Sequence, residues 1–340
     1  MGNQQSAHLR EVADGAWAWL QPNGSWGLSN AGLVVDGEQS LLVDTLFDLP
    51  RTAAMLAAMK QVSPAAGSVD TLVNTHANGD HCWGNSLAGA GQIVASRRGA
   101  EEMVELPPQK LAMLLKAGRA LDSLGPLRPA LGRFLGAIGL QKGAWLADAA
   151  PFALRCFGDF DFGGLEVCPP TRTFEGRLEL SVGDRKVVLH EVGPAHTRGD
   201  VVVHVPDADL IYTGDILFAD AHPVVWEGPV ANWIEACDLI LDLGVTTVVP
   251  GHGKLSDASA VRSVRDYLVH VDAEARLRHA AGMSAHDAAL DIALDGFSHW
   301  AERERLVVNV ATIYRGLDGG PVPDALESFA AMARFGEAIA

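Results

Sequence analysis

Residues 74–85 read Asn74-Thr75-His76-Ala77-Asn78-Gly79-Asp80-His81-Cys82-Trp83-Gly84-Asn85. Two imidazoles, a carboxylate and an amide fall within six positions, a convergent set of metal donors on a backbone that Gly79 lets turn tightly. The stretch follows a short run of strand character, residues 71–74. His76, Asn78, Asp80 and His81 therefore lie on a loop leaving the carboxyl end of a strand, where an open α/β sheet presents its chemistry. Cys82 is adjacent to His81, so its side chain points elsewhere, and it is read as a reduced thiol rather than a ligand or reactive group.

Three further segments have the same setting, each after an apolar run. They are Gly193-Pro194-Ala195-His196-Thr197-Arg198-Gly199-Asp200, Tyr212-Thr213-Gly214-Asp215, and Val249-Pro250-Gly251-His252-Gly253. Taken in order with the first, these motifs resemble the metallo-β-lactamase superfamily, whose first motif is His-x-His-x-Asp-His. The resemblance covers roughly residues 15 to 255 and thins between residues 97 and 171. It implies an αββα sandwich of two mixed β-sheets flanked by helices. It also implies a dinuclear site: His76 and His196 at one metal, Asp80, His81 and His252 at the other, and Asp215 bridging. Asn78 stands where the family has its second histidine.

An amide oxygen is a weaker donor toward zinc than imidazole and suits harder cations. Three outcomes follow. Asn78 coordinates weakly and two metals bind unequally. Or one zinc occupies the second position, with a place open for water. Or His76, His196 and Asp215 form a two-histidine, one-carboxylate face for iron(II). Zinc, one or two ions, is the expected cofactor, with Fe2+ or Mn2+ as the alternative. The expected chemistry is hydrolysis of a small, largely apolar ester, thioester or lactone by water at the metal, with Asp80 and Asp215 as catalytic carboxylates. An iron oxygenase or a metal-assisted lyase would use the same ligands, and a non-catalytic sensor would keep the fold alone.

The elements that carry these loops are legible as short strands and turns. Residues 16–20, 31–35 and 40–44 read as a meander broken at Pro22-Asn23-Gly24 and Asp36-Gly37. Asp44 ends the third strand; the family places a supporting acid there, and a turn or cap acid is the other reading. Pro50 opens a helix. A second meander is expected from residue 171, delivering His196 and then Asp215. His190 and His204 lie within its strands and are read as structural.

Trp83, and Phe218, His222 and Trp226 after the bridging acid, are the expected substrate contacts; Trp233 is expected to pack at the start of a helix. Residues 97–170 read as an insertion on a domain of residues 1–255, a helical pair interrupted at Gly125-Pro126 that closes its own small core, followed by Phe152, Phe157, Phe160 and Phe162 in a loop; a lid over an apolar pocket is the other reading. Residues 256–340 read as a helical extension, a cover or homodimer surface, opened by Ser256 as a cap, with Arg303, Arg305 and Arg315 on solvated or salt-bridged faces.

Composition narrows the field. A net charge of -16 argues against nucleic acid, whose phosphates need a basic face. The four cysteines are scattered, without a metal pair or a disulfide framework. Met1-Gly2 and Ser6 fit the loose myristoylation pattern, but no polybasic partner follows and the match is read as coincidence. The opening residues lack a basic start and an apolar core, and no run reaches spanning length, so the expectation is a cytoplasmic protein acting on a small molecule, without membrane.

Overall fold

The computed structural model describes residues 7–21, 25–105, 107–125 and 127–339. The amino-terminal pattern at residues 1–6, the turn at 22–24 and Pro126 lie outside them. The first sheet runs in sequence order: β1 (His8–Ala13), β2 (Ala16–Leu20), β3 (Ala31–Asp36), β4 (Gln39–Val43), β5 (Thr71–Val73), β6 (Gln92–Ser96) and β7 (Arg172–Phe174). The pairs from β1 to β4 are antiparallel and those from β4 to β7 parallel. The second sheet holds β8 (Arg177–Val182), β9 (Arg185–Glu191), β10 (Val201–Val205), β11 (Leu210–Tyr212) and β12 (Thr247–Val249), with only the last pair parallel.

One expectation is corrected here and one strand is added. Residues 172–174 belong to the edge of the first sheet, not to the second meander. Thr171 anchors them there, its N–H donating to the Ile93 carbonyl and its hydroxyl accepting from the Ile93 N–H, both at 2.9 Å. A three-residue strand carries too little periodicity to choose a sheet. The edge strand β1 is an addition, since its half-exposed, polar sequence lacks an apolar face to read.

Side-chain alternation builds the layers. Val34, Leu41, Val43 and Val94 meet Val187, Leu189, Val201 and Val203 between the sheets. The alternate residues Leu33, Leu42 and Leu72 turn outward onto Met55 and Met59 of the helix Leu49–Val62. That helix has Pro50 in its first turn and the Asp48 carboxylate accepting from the Arg51 N–H. Val202, Ile211 and Val248 turn outward on the other side, onto Trp233, Ile240, Val261 and Tyr267 of the helices Val230–Asp242 and Ala258–Ala280. The result is the αββα sandwich. Each of these fully buried side chains contributes about 1.5–3 kcal/mol.

Residues 97–170 contain the helices Arg97–Met103, Pro108–Asp122, Leu127–Ala137 and Gln141–Phe157. Phe152 and Phe157 sit on the last helix, not in the loop that holds Phe160 and Phe162. This insertion does not close a core by itself: the unanticipated helix Ala325–Ile339 packs on it, Phe329 meeting Phe152 at 5.9 Å and Phe157 at 6.0 Å. Asp257, rather than Ser256, caps Ala258–Ala280, accepting from the Ser259 N–H at 2.7 Å, while Ser256 pairs with Val248. No helix among the described residues is long and apolar enough to cross a membrane.

Candidate metal centre

Four strands end at one edge of the sandwich. β5 leads to His76, Asn78, Asp80 and His81, β9 to His196, β11 to Asp215 and β12 to His252. The structure brings all seven residues together around Asp215. One Asp215 oxygen, Oδ2, lies 3.3 Å from His196 Nε2, 3.4 Å from His252 Nε2 and 3.8 Å from His76 Nε2; the other, Oδ1, lies 3.1 Å from His81 Nε2. Asp80 Oδ2 is 3.3 Å from His252 Nε2 and 3.9 Å from His81 Nε2. Gly251 is obligatory for this approach, because a Cβ there would lie 2.1 Å from Asp215 Oδ1.

Donor atoms close enough to share an ion fall into two groups, His76 with His81 and Asp215, and Asp80 with His81 and His252. His76 Nε2, His81 Nε2 and Asp215 Oδ1 are buried without a hydrogen-bond partner among the described residues. Buried polar atoms are ordinarily paired. Three of them converging, with imidazole and carboxylate chemistry, fit a metal ion.

The hydrogen bonds aim the lone pairs inward. Asp44 at the end of β4 accepts from His81 Nδ1 at 2.9 Å and from the Thr75 N–H and hydroxyl, both at 2.7 Å. With its proton committed to Asp44, the Thr75 hydroxyl accepts from His76 Nδ1 at 3.0 Å. One carboxylate thus fixes both rings with Nε2 free. Asp44 adopts φ 62° to make this turn, a conformation Asp tolerates better than most residues. His196 Nδ1 donates to the Val224 carbonyl at 2.7 Å, which leaves its Nε2 to accept from Asn78 Nδ2 at 3.0 Å. Asn78 therefore meets His196 as a hydrogen-bond donor.

The charges divide the centre. Burial holds His76 well below the usual imidazole range and takes His196 down to about 4, so both are neutral. Burial also opposes charge on His81 and His252, but Asp215 and Asp80 outweigh it, holding His81 well above its ordinary value and His252 at about 9. Against the same desolvation, His81 and His252 keep Asp80 and Asp215 below the ordinary carboxylate value.

Support from residues the sequence reading left unassigned is extensive. Asn30 donates to the Pro250 and Gly253 carbonyls, each at 2.9 Å, bracketing His252, and the Ser29 hydroxyl donates to the Asp80 carbonyl. Asn74 donates to the His81 carbonyl at 3.0 Å and is itself held by Asn85 at 2.8 Å. A buried polar pair just before a strand is the signal that could have marked Ser29 and Asn30. The Val224 carbonyl left no such signal. Cys82 points away from the centre, its thiol toward the Ala77 and Asn78 carbonyls, and burial pushes its pKa up.

Aromatic rings wall the centre. Trp83 stacks on Phe47 at 5.0 Å, and Phe218 stacks on His252 at 5.1 Å. Trp226 is half-buried, 6.3 Å from Trp26. Trp233 is buried, donating to the Ile216 carbonyl at 3.0 Å. His222, expected at the cleft, is instead fully buried edge-on to Tyr267 and Trp300, where burial takes it down to about 3. Arg305, expected on a solvated or paired face, is 1% exposed. It lies over the Trp26 and Phe218 rings at 4.2 and 5.1 Å and donates to the His222 carbonyl at 3.0 Å. Charge spacing alone gave no sign of this burial. His190 and His204 remain apart from the centre, on the second sheet.

A sequence profile of the metallo-β-lactamase superfamily matches residues 24–252. Hydroxyacylglutathione hydrolases of Brucella ovis and Brucella abortus are 29% identical over 140 residues, 39% of this chain and 54% of each relative. The chain thus matches about half the length of these relatives. Among solved structures, a stereoselective inverting sec-alkylsulfatase from Pseudomonas sp. superposes with a TM-score of 0.62 at 16% identity, over 93% of this chain and 52% of that one. A metallo-β-lactamase from Pontibacter korlensis superposes with a TM-score of 0.51 at 17% identity, over 77% and 99% of the respective chains. At such identities the two structures speak for the fold.

Proposed function

The chain belongs to the metallo-β-lactamase superfamily, and from that premise we propose that it is a metal-dependent hydrolase of a small, largely apolar ester, thioester or lactone. The observation that carries this reading is the convergence of unpartnered, buried donor atoms of His76, His81 and Asp215 at the carboxyl ends of the strands. Asp80, His81 and His252 would hold a zinc ion with Asp215, and His76 and His196 would complete a weaker position on the other side of Asp215. A bound metal supplies Lewis acidity and brings the pKa of water toward neutrality.

The chain's own residues do the rest. Asp44 keeps the His76 and His81 protons on the far side of both rings. Asp80 is the most exposed of the carboxylates and imidazoles in the centre, 9%, and is held ionised by its neighbours. Where it is not fully engaged as a ligand, its carboxylate can take a proton and pass it to the leaving group. Asp215 spans the two halves. Trp83, Phe218, Trp226 and the insertion's Phe152 and Phe157, which meet or neighbour Trp26, exclude water and favour an apolar acyl group. His222 has no part in substrate contact.

The hydroxyacylglutathione hydrolase relatives favour an acyl substrate. The test is turnover of a panel of acyl thioesters, aryl esters and lactones by protein stripped of metal and reloaded with zinc. Zinc-dependent hydrolysis of at least one class is expected. Inactivity with zinc on every class, together with oxygen uptake by the iron-loaded protein, would overturn the reading in favour of the oxygenase.

A further inference from the structure

The helices of residues 108–142 carry charge and exposure unlike the rest of the molecule. In a chain of net charge -16, this segment has six basic residues, Lys110, Lys116, Arg119, Arg128, Arg133 and Lys142, and one acid, Asp122. The helix Leu127–Ala137 presents apolar side chains on its outer face, unlike an ordinary surface helix. Its small residues Gly132 and Gly136 face Ala147 and Ala144 of the helix Gln141–Phe157. Leu131 and Leu135 are half-buried, Leu135 toward Gly143, but other large apolar residues face out: Leu127 is 69% exposed and Phe134 59%, followed just past the helix by Ile138 at 53% and Leu140 at 56%. The spacing of Leu127, Phe134 and Ile138 puts them on one face. On the neighbouring helix Met113 is 73% exposed, between Lys110 and Lys116 in sequence. Of the six cations, Arg128 and Lys142 reach an acid among the described residues, Glu337 at 4.0 Å and Asp324 at 3.7 Å.

We propose that the outward face of these helices docks on an anionic lipid surface. An exposed apolar stripe bordered by lysine and arginine is the pattern of a helix lying in a bilayer interface, the apolar side chains entering and the cations meeting headgroups. The charge decides the occupant. A second copy of the chain, docked through the same patch, would set these cations against their own copies. Docking by this face is a surface association, for which no spanning helix is needed. It does not depend on the reaction proposed above. It would place the helix bearing Phe152 and Phe157, which roof the aromatic wall, next to the lipid.

The test is co-sedimentation of the full chain with vesicles of phosphatidylcholine containing phosphatidylglycerol, against vesicles of phosphatidylcholine alone, at low and high salt. Binding to the anionic vesicles that weakens with salt is expected. Arg119→Gln with Arg133→Gln should lower the partition coefficient roughly thirtyfold, at about 1 kcal/mol per basic residue. Leu127→Ser with Phe134→Ser and Ile138→Ser should abolish it while thermal unfolding is unchanged, since all three side chains are exposed. Equal binding to both vesicle types, or no binding with size-exclusion showing a dimer that the triple variant dissociates, would overturn the proposal.

Discussion

Two sets of candidate donors meet at Asp215: Asp80 with His81 and His252, whose imidazoles the neighbouring carboxylates hold above their ordinary pKa, and His76 with His196, which burial holds below theirs, beside Asn78, where the resemblance places a third imidazole. The two halves share a carboxylate and differ in what surrounds it. The first side supplies three donors besides Asp215. The second supplies two, and one of them, His196 Nε2, already accepts a hydrogen bond from Asn78. A metal held there by His76 and His196 would have to displace that bond and would find an amide instead of an imidazole. On the proposed reading, donor supply, more than the fold, would separate a tight position from a weak one.

Variants can break this comparison, and the largest effect is expected at the well-supplied side. His252→Ala should lower affinity for the first zinc by more than about a hundredfold, beyond the roughly 10–100-fold typical of a supporting residue, and take hydrolysis to background; titration with a competing chelator reads it. Next comes Asp44→Asn, with a loss of roughly 10–100-fold, because this carboxylate orients His81 directly and His76 through Thr75. His196→Ala should change affinity for the first zinc by less than about tenfold, below the range for supporting residues. A loss equal to that of His252→Ala would erase the distinction between the halves.

The smallest effect concerns the His196 loop. Asp200 accepts from the Thr197 N–H at 2.9 Å and hydroxyl at 2.7 Å, and burial raises its pKa from 3.8 to about 8. Between those values the native state keeps a proton that the unfolded chain releases, so this residue's contribution to stability falls as pH rises through that window. Asp200→Asn should flatten that part of the thermal-unfolding profile. An unchanged slope would show that Asp200 is ionised in the native state.

The ligand loops were legible because donors of distinct chemistry sit directly after apolar runs, and the strands of the sandwich were legible from their alternation. What escaped the sequence shares one cause: it is settled by tertiary contact. β7 joins the first sheet through Thr171 and Ile93, residues 78 positions apart. Arg305 reads as a surface charge until Trp26 and Phe218 cover it. His222 follows the bridging acid but faces Tyr267. Phe152 and Phe157 fall on a helix that contains Pro151, and the Ala325–Ile339 helix that packs on them was not separated from the chain's end. Asn78 was legible as a substitution; its donation to His196 was not.

The most direct test of the unequal centre is the zinc content per chain, after exhaustive dialysis, of the protein and of Asn78→His. The account predicts about one tightly held zinc in the protein and about two in the variant, because the new imidazole supplies the missing donor and removes the bond to His196. Two equally tight ions in the unaltered protein, or no second ion in Asn78→His, would contradict it.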